Sequence, residues 1–565
     1  MVLVCAVSWL GCFAPGSGVE PPQESIYFPV GLSLDSKAEH LFIVNSDFDL
    51  RYNGGTVGSY DLAAIRALTP SPCGSDGDCA SDRFCDLTPT PENGGLPSRW
   101  CVPRQGGAAG SPCGAFGESS VADRIINPGR CGYVNPERPQ DGSNRMRVGS
   151  VGIGAFGTDV VYRARPATAP PGPPGRLFVP VRGDATLDFI DVDDNGVLDC
   201  GQPTNGSDCD DRHRRGDNPD QENTRGLRLP PEPFGIDATA DARALVVTHQ
   251  TESAVSLFVH EWNDQGPDLE FVLGNLPTRP IGVAAVPPPA IAVAKSILND
   301  PGFLLTFGGA PQIALVRFFD EATLQPVSPA RPYLYVAGQV PIQANSVGDD
   351  SRGIALDAST RHSMEVACAS LTGIDPQSDC ARDPDCTARC TIDPNCDAQC
   401  ASDPACKDQY TDCLSVADKV PLEVYVSNRA PASLLVGRTP LAQNAWPPED
   451  LPEFHESVPL TFGPSRVVLG DVRVSETEWE TRVFVVAFDS RLIFIYDPAR
   501  RRVEKEIRTG RGPHALAIDS RHGLGYVAHF TDSYIGVISL DQRFPSSYGT
   551  ILMTFGRPTP PRASK

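Results

Sequence analysis

The run Asp191–Asp211, DVDDNGVLDCGQPTNGSDCDD, carries a dense set of hard oxygen donors. Asp191, Asp193, Asn195, Gly196 and Asp199 fall at the alternating ligand positions and the glycine turn of a calcium loop, with Val197 at the backbone-carbonyl position. The place of the usual bidentate Glu holds Gln202, so the run is closer to the Asp-rich repeats of extracellular calcium modules than to an EF-hand proper. Calcium is the cofactor this pattern would take; the competing reading is a solvated acidic hairpin loop. Other chemistry is thin. The nine His are scattered. There is no C-x-x-C-H for haem, no phosphate-binding G-x-x-x-x-G-K-[ST], no H-E-x-x-H and no G-x-S-x-G nucleophile elbow. His249 and His529 each follow an apolar run and are expected in loops.

Cysteine supplies the next set. Of 18 Cys, Cys5 and Cys12 lie in the N-terminal apolar run. The other sixteen fall in even groups, as closed disulfide sets require. Six (Cys73, Cys79, Cys85, Cys101, Cys113, Cys131) lie in an insertion at 72–131. Two (Cys200, Cys209) staple the acidic loop at 191–216. Eight (Cys368, Cys380, Cys386, Cys390, Cys396, Cys400, Cys406, Cys413) lie at 366–415. Zinc is disfavoured because C-x-x-C pairs are absent and clustered, paired Cys point to an oxidising compartment. In the last group Asp383-Pro384, Asp393-Pro394 and Asp403-Pro404 each precede a Cys. Asp caps helices and Pro suits their first turn, so short helices are expected, with Cys386/Cys390 and Cys396/Cys400 on one face of each.

The elements that carry these groups recur. Pro29-Val-Gly-Leu, Pro233-Phe-Gly-Ile, Pro280-Ile-Gly-Val, Ser351-Arg-Gly-Ile, Pro464-Ser-Arg-Val and Pro513-His-Ala-Leu share one pattern, with a weaker copy at Val151-Gly-Ile-Gly. After most copies comes an apolar run (Leu41–Asn45, Leu245–Thr248, Phe303–Phe307, Val424–Asn428, Val483–Ala487, Tyr526–His529), then an alternating one such as Tyr534–Asp541. Val/Ile/Phe/Tyr-rich runs bounded by Gly, Pro, Asn and Asp are strands. A three- or four-stranded unit cannot bury both faces alone, and packing such units about an axis does so. The repeat, best seen in Gly512–Asp541, resembles the YVTN/NHL-type β-propeller family. The expected fold is therefore all-β, a seven-bladed β-propeller (±1 blade) over 26–565 with disulfide-rich insertions, one of them short-helical. The strand near Ile26-Tyr27-Phe28 is expected to close the ring beside Thr550–Phe555.

Aligning the repeat places Val30, Val151, Phe234, Ile281, Arg352, Ser465 and His514 at one position of the innermost strand, and hence in a ring around the channel. Arg352 and His514 stand out, with Arg466 one place further on. An Arg/His mouth can bind an anionic group or a peptide carboxylate; the alternative is that these side chains cap the channel and bond carbonyls.

Residues 1–12 are apolar but too short to span a bilayer. Trp9-Leu10-Gly11-Cys12 resembles a bacterial lipobox, which implies lipidation of Cys12, and 13–25 is a Pro/Gly/Ser tether. With its Cys-rich insertions the chain resembles bacterial, myxobacterial-type envelope lipoproteins. That implies a cell-envelope address, anchored by lipid at the outer membrane or released to the periplasm or medium, with no other membrane contact.

Over 565 residues, 48 Lys+Arg against 70 Asp+Glu give a net charge of −22, which repels phosphate backbones and speaks against nucleic acid. With 40% hydrophobic residues, wholesale disorder is excluded; 52 Gly and 55 Pro favour short strands and turns. The expected role is a protein- or ligand-binding and assembly module acting on an envelope protein or small ligand. The alternatives are an exported lactonase- or esterase-like propeller hydrolase and a passive structural protein. Mass spectrometry of the mature N-terminus is expected to find a diacylglyceryl group on Cys12; an unmodified N-terminus there would remove the anchor.

Overall fold

The computed structural model describes residues 18–558 apart from 88–98, 105–111, 114–115, 121–127, 138–144, 202–208, 217–225, 289–299, 320–331, 343–349, 373–412 and 440–450. Seven sheets follow one another in the chain, five of four strands and two of five. They begin with Pro29–Leu34, Val161–Ala164, Pro233–Ala238, Pro280–Ala285, Ser351–Asp357, Pro464–Arg473 and Pro513–Asp519, each the inner strand of blades 1 to 7. The architecture is a seven-bladed β-propeller.

Its core is seven separate cores, one between each pair of neighbouring blades. Leu41 and Ile43 pack on Ala515, Tyr526 and Val537 of blade 7, while Phe42 and Val44 pack on Leu177 and Val179 of blade 2. The second strand of a blade is thus covered on both faces, which is why it reads as an unbroken apolar run. Equivalent clusters join blades 2 and 3, 3 and 4, 4 and 5, 5 and 6, and 6 and 7. Each fully buried Leu, Ile, Val or Phe there contributes about 1.5–3 kcal/mol.

The Pro-x-Gly signature has a steric and a hydrogen-bonding cause. Inner strands slip register just after the Pro, as at Pro233 and Pro280. A Cβ on Gly235 would collide with the Ile281 carbonyl of the next blade, and one on Gly282 with the Arg352 carbonyl. Thr248 and Thr306 knit the same places together. Each hydroxyl accepts from its own blade's glycine N–H at 2.9 Å and donates to the next blade's carbonyl, at 2.9 and 2.6 Å.

Two expectations change. Ile26–Phe28 are buried but form no strand; Phe28 N–H donates to Ser533 Oγ. The ring is sealed instead by Tyr133–Val134, just past the 72–131 insertion of blade 1, which pairs in parallel with Thr554–Phe555 of blade 7. Second, Val151 lies in Arg147–Ile153, the outer strand of blade 1. The inner position of blade 2 belongs to the stretch Gly157-Thr158-Asp159, where Gly157 bridges Val181 as Pro29 does Asn45. No Pro-x-Gly marks it, so the copy at Val151 drew the alignment away.

Five disulfides join Cys73–Cys85, Cys79–Cys101, Cys113–Cys131, Cys200–Cys209 and Cys368–Cys413. Cys380, Cys386, Cys390, Cys396, Cys400 and Cys406 lie outside the described residues. The helix Ser359–Thr372 leads into that insertion. Among the described residues no helix is long and apolar enough to cross a membrane.

Cys113 and Cys131 are buried in the core between blades 7 and 1, whereas Cys73, Cys85 and Cys101 form a small cluster of their own. Replacing Cys113 and Cys131 by Ser is therefore expected to cost the propeller ~2–4 kcal/mol in guanidinium unfolding followed by far-UV circular dichroism. Replacing Cys73 and Cys85 should leave that transition nearly unmoved; equal effects would contradict the seam assignment.

Candidate functional site

The inner-strand position that follows each Pro, or its equivalent, forms a ring: Val30, Thr158, Phe234, Ile281, Arg352, Ser465 and His514. All seven line one cavity of about 300 Å³ at a mouth of the channel. Arg352, Arg466 and His514 are brought to the same cavity; Val151 is not among its lining residues. A second ring, missed in the sequence, stands above the first. It is the residue that ends or follows the apolar second strand: Ser46, Arg182, Arg429, Phe488 and Phe530. The same repeat alignment carries that signal, one place past Asn45, Val181, Asn428, Ala487 and His529.

The two rings bring aromatic and cationic side chains to one mouth. Phe530 stands 5.1 Å from Phe48 and 6.2 Å from Phe488, and Phe48 is 6.2 Å from Phe156. The same mouth holds four guanidiniums, each with one carboxylate. Arg352 pairs with Asp350 (3.0 Å), Arg182 with Glu232 (2.8 Å), Arg429 with Asp489, and Arg466 with Asp159 (2.8 Å). The last pair joins blade 6 to blade 2 across the channel, one residue beyond the ring, where other blades have Gly or Ala. A carboxylate occupies only part of a guanidinium's five N–H donors, so a paired arginine keeps donors for a second anion.

His514 Nδ1 lies 2.7 Å from the Val30 carbonyl oxygen. A carbonyl only accepts, so Nδ1 carries the proton and Nε2 is left with its lone pair. Burial, and then the charge of Arg466, push the ring down to about 4. It is neutral at pH 7 and offers the cavity an acceptor or base.

The other expected sites are placed as follows. Cys12 lies outside the described residues. Asp191 is engaged by Arg176, which also reaches His260 Nε2 at 2.8 Å. Asp193 Oδ1 accepts from the Asn195 and Val197 N–H groups, and the Val197 carbonyl accepts from Asp193 N–H. Asp199 Oδ1 accepts from Gly201 N–H, and Asp199 pairs across the hairpin with Asp191. Among the described residues no three carboxylates of this run gather within 4.8 Å. Calcium there would have to draw Asp191 away from Arg176.

No family model matches the chain, and no curated protein matches it. Solved structures with some likeness include a Lactobacillus plantarum protein (10% identity, 88% of each chain, TM-score 0.40) and a candidate 6-phosphogluconolactonase of Bacteroides uniformis (8%, 85% of each chain, 0.40). The periplasmic gluconolactonase of Pseudomonas aeruginosa is 13% identical, over 71% of this chain and 83% of that one, with a TM-score of 0.36. Likeness at this level carries no functional argument.

His249 and His529, expected in loops, instead end the buried strands Ala244–His249 and Leu524–His529. His249 bonds Ser256 Oγ at 2.7 Å; His529 stacks on Tyr534 at 4.3 Å with neither nitrogen hydrogen-bonded. Burial pushes His249 to about 4 and His529 to about 3. Below pH ~6.5 the unfolded chain takes up protons that these folded rings refuse. Stability is therefore expected to fall as pH drops from about 6.5 towards 4, by up to ~1.4 kcal/mol per pH unit for each ring. Urea melts of H529F at pH 7 and 5 should show a shallower loss than the parent; identical slopes would contradict this.

Proposed function

We propose that the chain is a binding propeller whose channel mouth takes a small organic anion with an apolar or aromatic body. One observation carries this reading: a single cavity of about 300 Å³ is lined by Arg182, Arg352, Arg429 and Arg466 together with Phe48, Phe156, Phe488 and Phe530. Fixed guanidiniums recognise a carboxylate through charge-assisted hydrogen bonds, and the phenylalanine wall removes apolar surface from water. The setting we propose is a bacterial envelope, with Cys12 as lipid anchor and the blade loops turned to partners.

A second reading, hydrolysis of an ester or lactone, is favoured by the neutral His514 with its bare Nε2 beside Arg466. A base held below neutral pH can take a proton from water while the arginine steadies the developing oxyanion.

Calorimetry with 3-phenylpropionate and its neutral amide tests the first reading. The acid is expected to bind and the amide not, and R352Q should weaken the acid about tenfold, the equivalent of ~1.4 kcal/mol. Equal binding of acid and amide would sink it. For the second, turnover of an aryl ester or a lactone that H514Q abolishes would be required.

A further inference from the structure

The strand pair inside the 72–131 insertion carries two disulfides side by side. Its strands, Arg83–Asp86 and Trp100–Pro103, set Cys85 directly opposite Cys101. Opposed residues of an antiparallel pair point to one face, with Cβ atoms ~4.5–5.5 Å apart. Each then bonds back into the loop that precedes the pair, Cys85 to Cys73 and Cys101 to Cys79. The sulfurs converge as a result: the Sγ atoms of Cys73, Cys79 and Cys101 all lie within 4.8 Å of one another. A sulfur of one disulfide is thus in reach of both sulfurs of the other.

Access to the four is unequal. Cys73 is 0 % exposed, Cys101 1 % and Cys85 5 %. Cys79 is half-buried and stands between the exposed Asp78 and Ala80. Of these sulfurs, the one open to a thiolate from solvent is Cys79. Which sulfur is attacked, and where the leaving thiolate can go, set the course of thiol–disulfide exchange.

We propose that this cluster is an exchange site that oxidises a dithiol, entered at Cys79 and relayed to Cys73–Cys85. A thiolate of the dithiol attacks Cys79 Sγ. A mixed disulfide forms, the Cys79–Cys101 bond breaks, and Cys101 leaves as a thiolate with the electron pair. That thiolate can return to Cys79 and expel the dithiol, or it can attack Cys73 Sγ. The second move forms Cys73–Cys101 and releases Cys85 as a thiolate. Closing from within 4.8 Å to the ~2 Å of a bond is within the reach of side-chain rotation. The relay removes the group that would undo the mixed disulfide. The dithiol's second thiolate then attacks its own bound sulfur, and Cys79 leaves as a thiolate. The dithiol ends as a disulfide, two electrons poorer. Its two protons and two electrons end as thiols at Cys79 and Cys85, with Cys73–Cys101 closed. Because these cysteines form a cluster apart from the blade cores, the exchange leaves the wheel shut. The site does not depend on the anion-binding reading.

Reduced glutathione, a monothiol, halts the sequence at the mixed disulfide. The full chain would be treated with it at pH 8, quenched with N-ethylmaleimide and peptide-mapped by mass spectrometry. The expected products are glutathione on Cys79, maleimide on Cys85 and a Cys73–Cys101 cross-link. Glutathione on Cys73, Cys85 or Cys101 instead of Cys79 overturns the proposal. So does a Cys73–Cys79 link in place of Cys73–Cys101, or no reaction at these four cysteines. A C-x-x-C peptide in its dithiol form is expected to be oxidised by the full chain and at least about tenfold more slowly by C79S/C101S. Equal rates would place the oxidant elsewhere and overturn the site. The map of the parent chain decides independently of how that variant folds.

Discussion

No blade of this propeller can bury its own faces, and everything else depends on that. A four-stranded sheet standing alone would leave both sides of a strand such as Leu41–Val44 in water. Set between neighbours, the same strand sends alternate side chains into two different cores. Stability is therefore shared around the circle: each core borrows one wall from the next sheet. The consequence is a rigid wheel whose inner strands are held at close quarters, near enough for Thr248 and Thr306 to bond the following blade's carbonyls.

That closeness also builds the candidate site. The inner strands need residues without Cβ where carbonyls of the next blade press in, so the residue just before the glycine is the one left facing the axis. Seven such positions converge without any one segment of sequence containing them. The chemistry at the mouth comes from departures from the small-residue rule. Blade 6 has Arg466 and blade 2 has Asp159 where others have Gly or Ala, and the two reach across to each other at 2.8 Å. A further layer comes from the residues that leave the second strands, which is how phenylalanines and arginines come to line one hollow.

Much of this was legible from the repeat. The blade number, the strand pattern and six of the seven axial positions follow from the Pro-led motif, since the motif records a contact between blades rather than a local preference. Blade 2 escaped because Gly157-Thr158-Asp159 lacks the proline and Val151-Gly-Ile-Gly imitates it. At Asp191–Asp199 the carboxylates engage Arg176 and the local backbone, contacts that the spacing alone does not reveal. His249 and His529 followed apolar runs and were expected beyond them, while both in fact complete the strands.

The parallel pairing of Tyr133–Val134 with Thr554–Phe555 has a bearing on how the chain is made. The two halves of that join are separated by about four hundred residues. On a ribosome adding 5–20 residues per second, the first would wait on the order of 20–80 s for the second. Through that interval the first blade is complete in sequence yet has one flank bare, and its latch hangs unoccupied. The nascent protein thus spends most of its synthesis as an open arc with a sticky leading face, and only the last strand out turns the arc into a wheel.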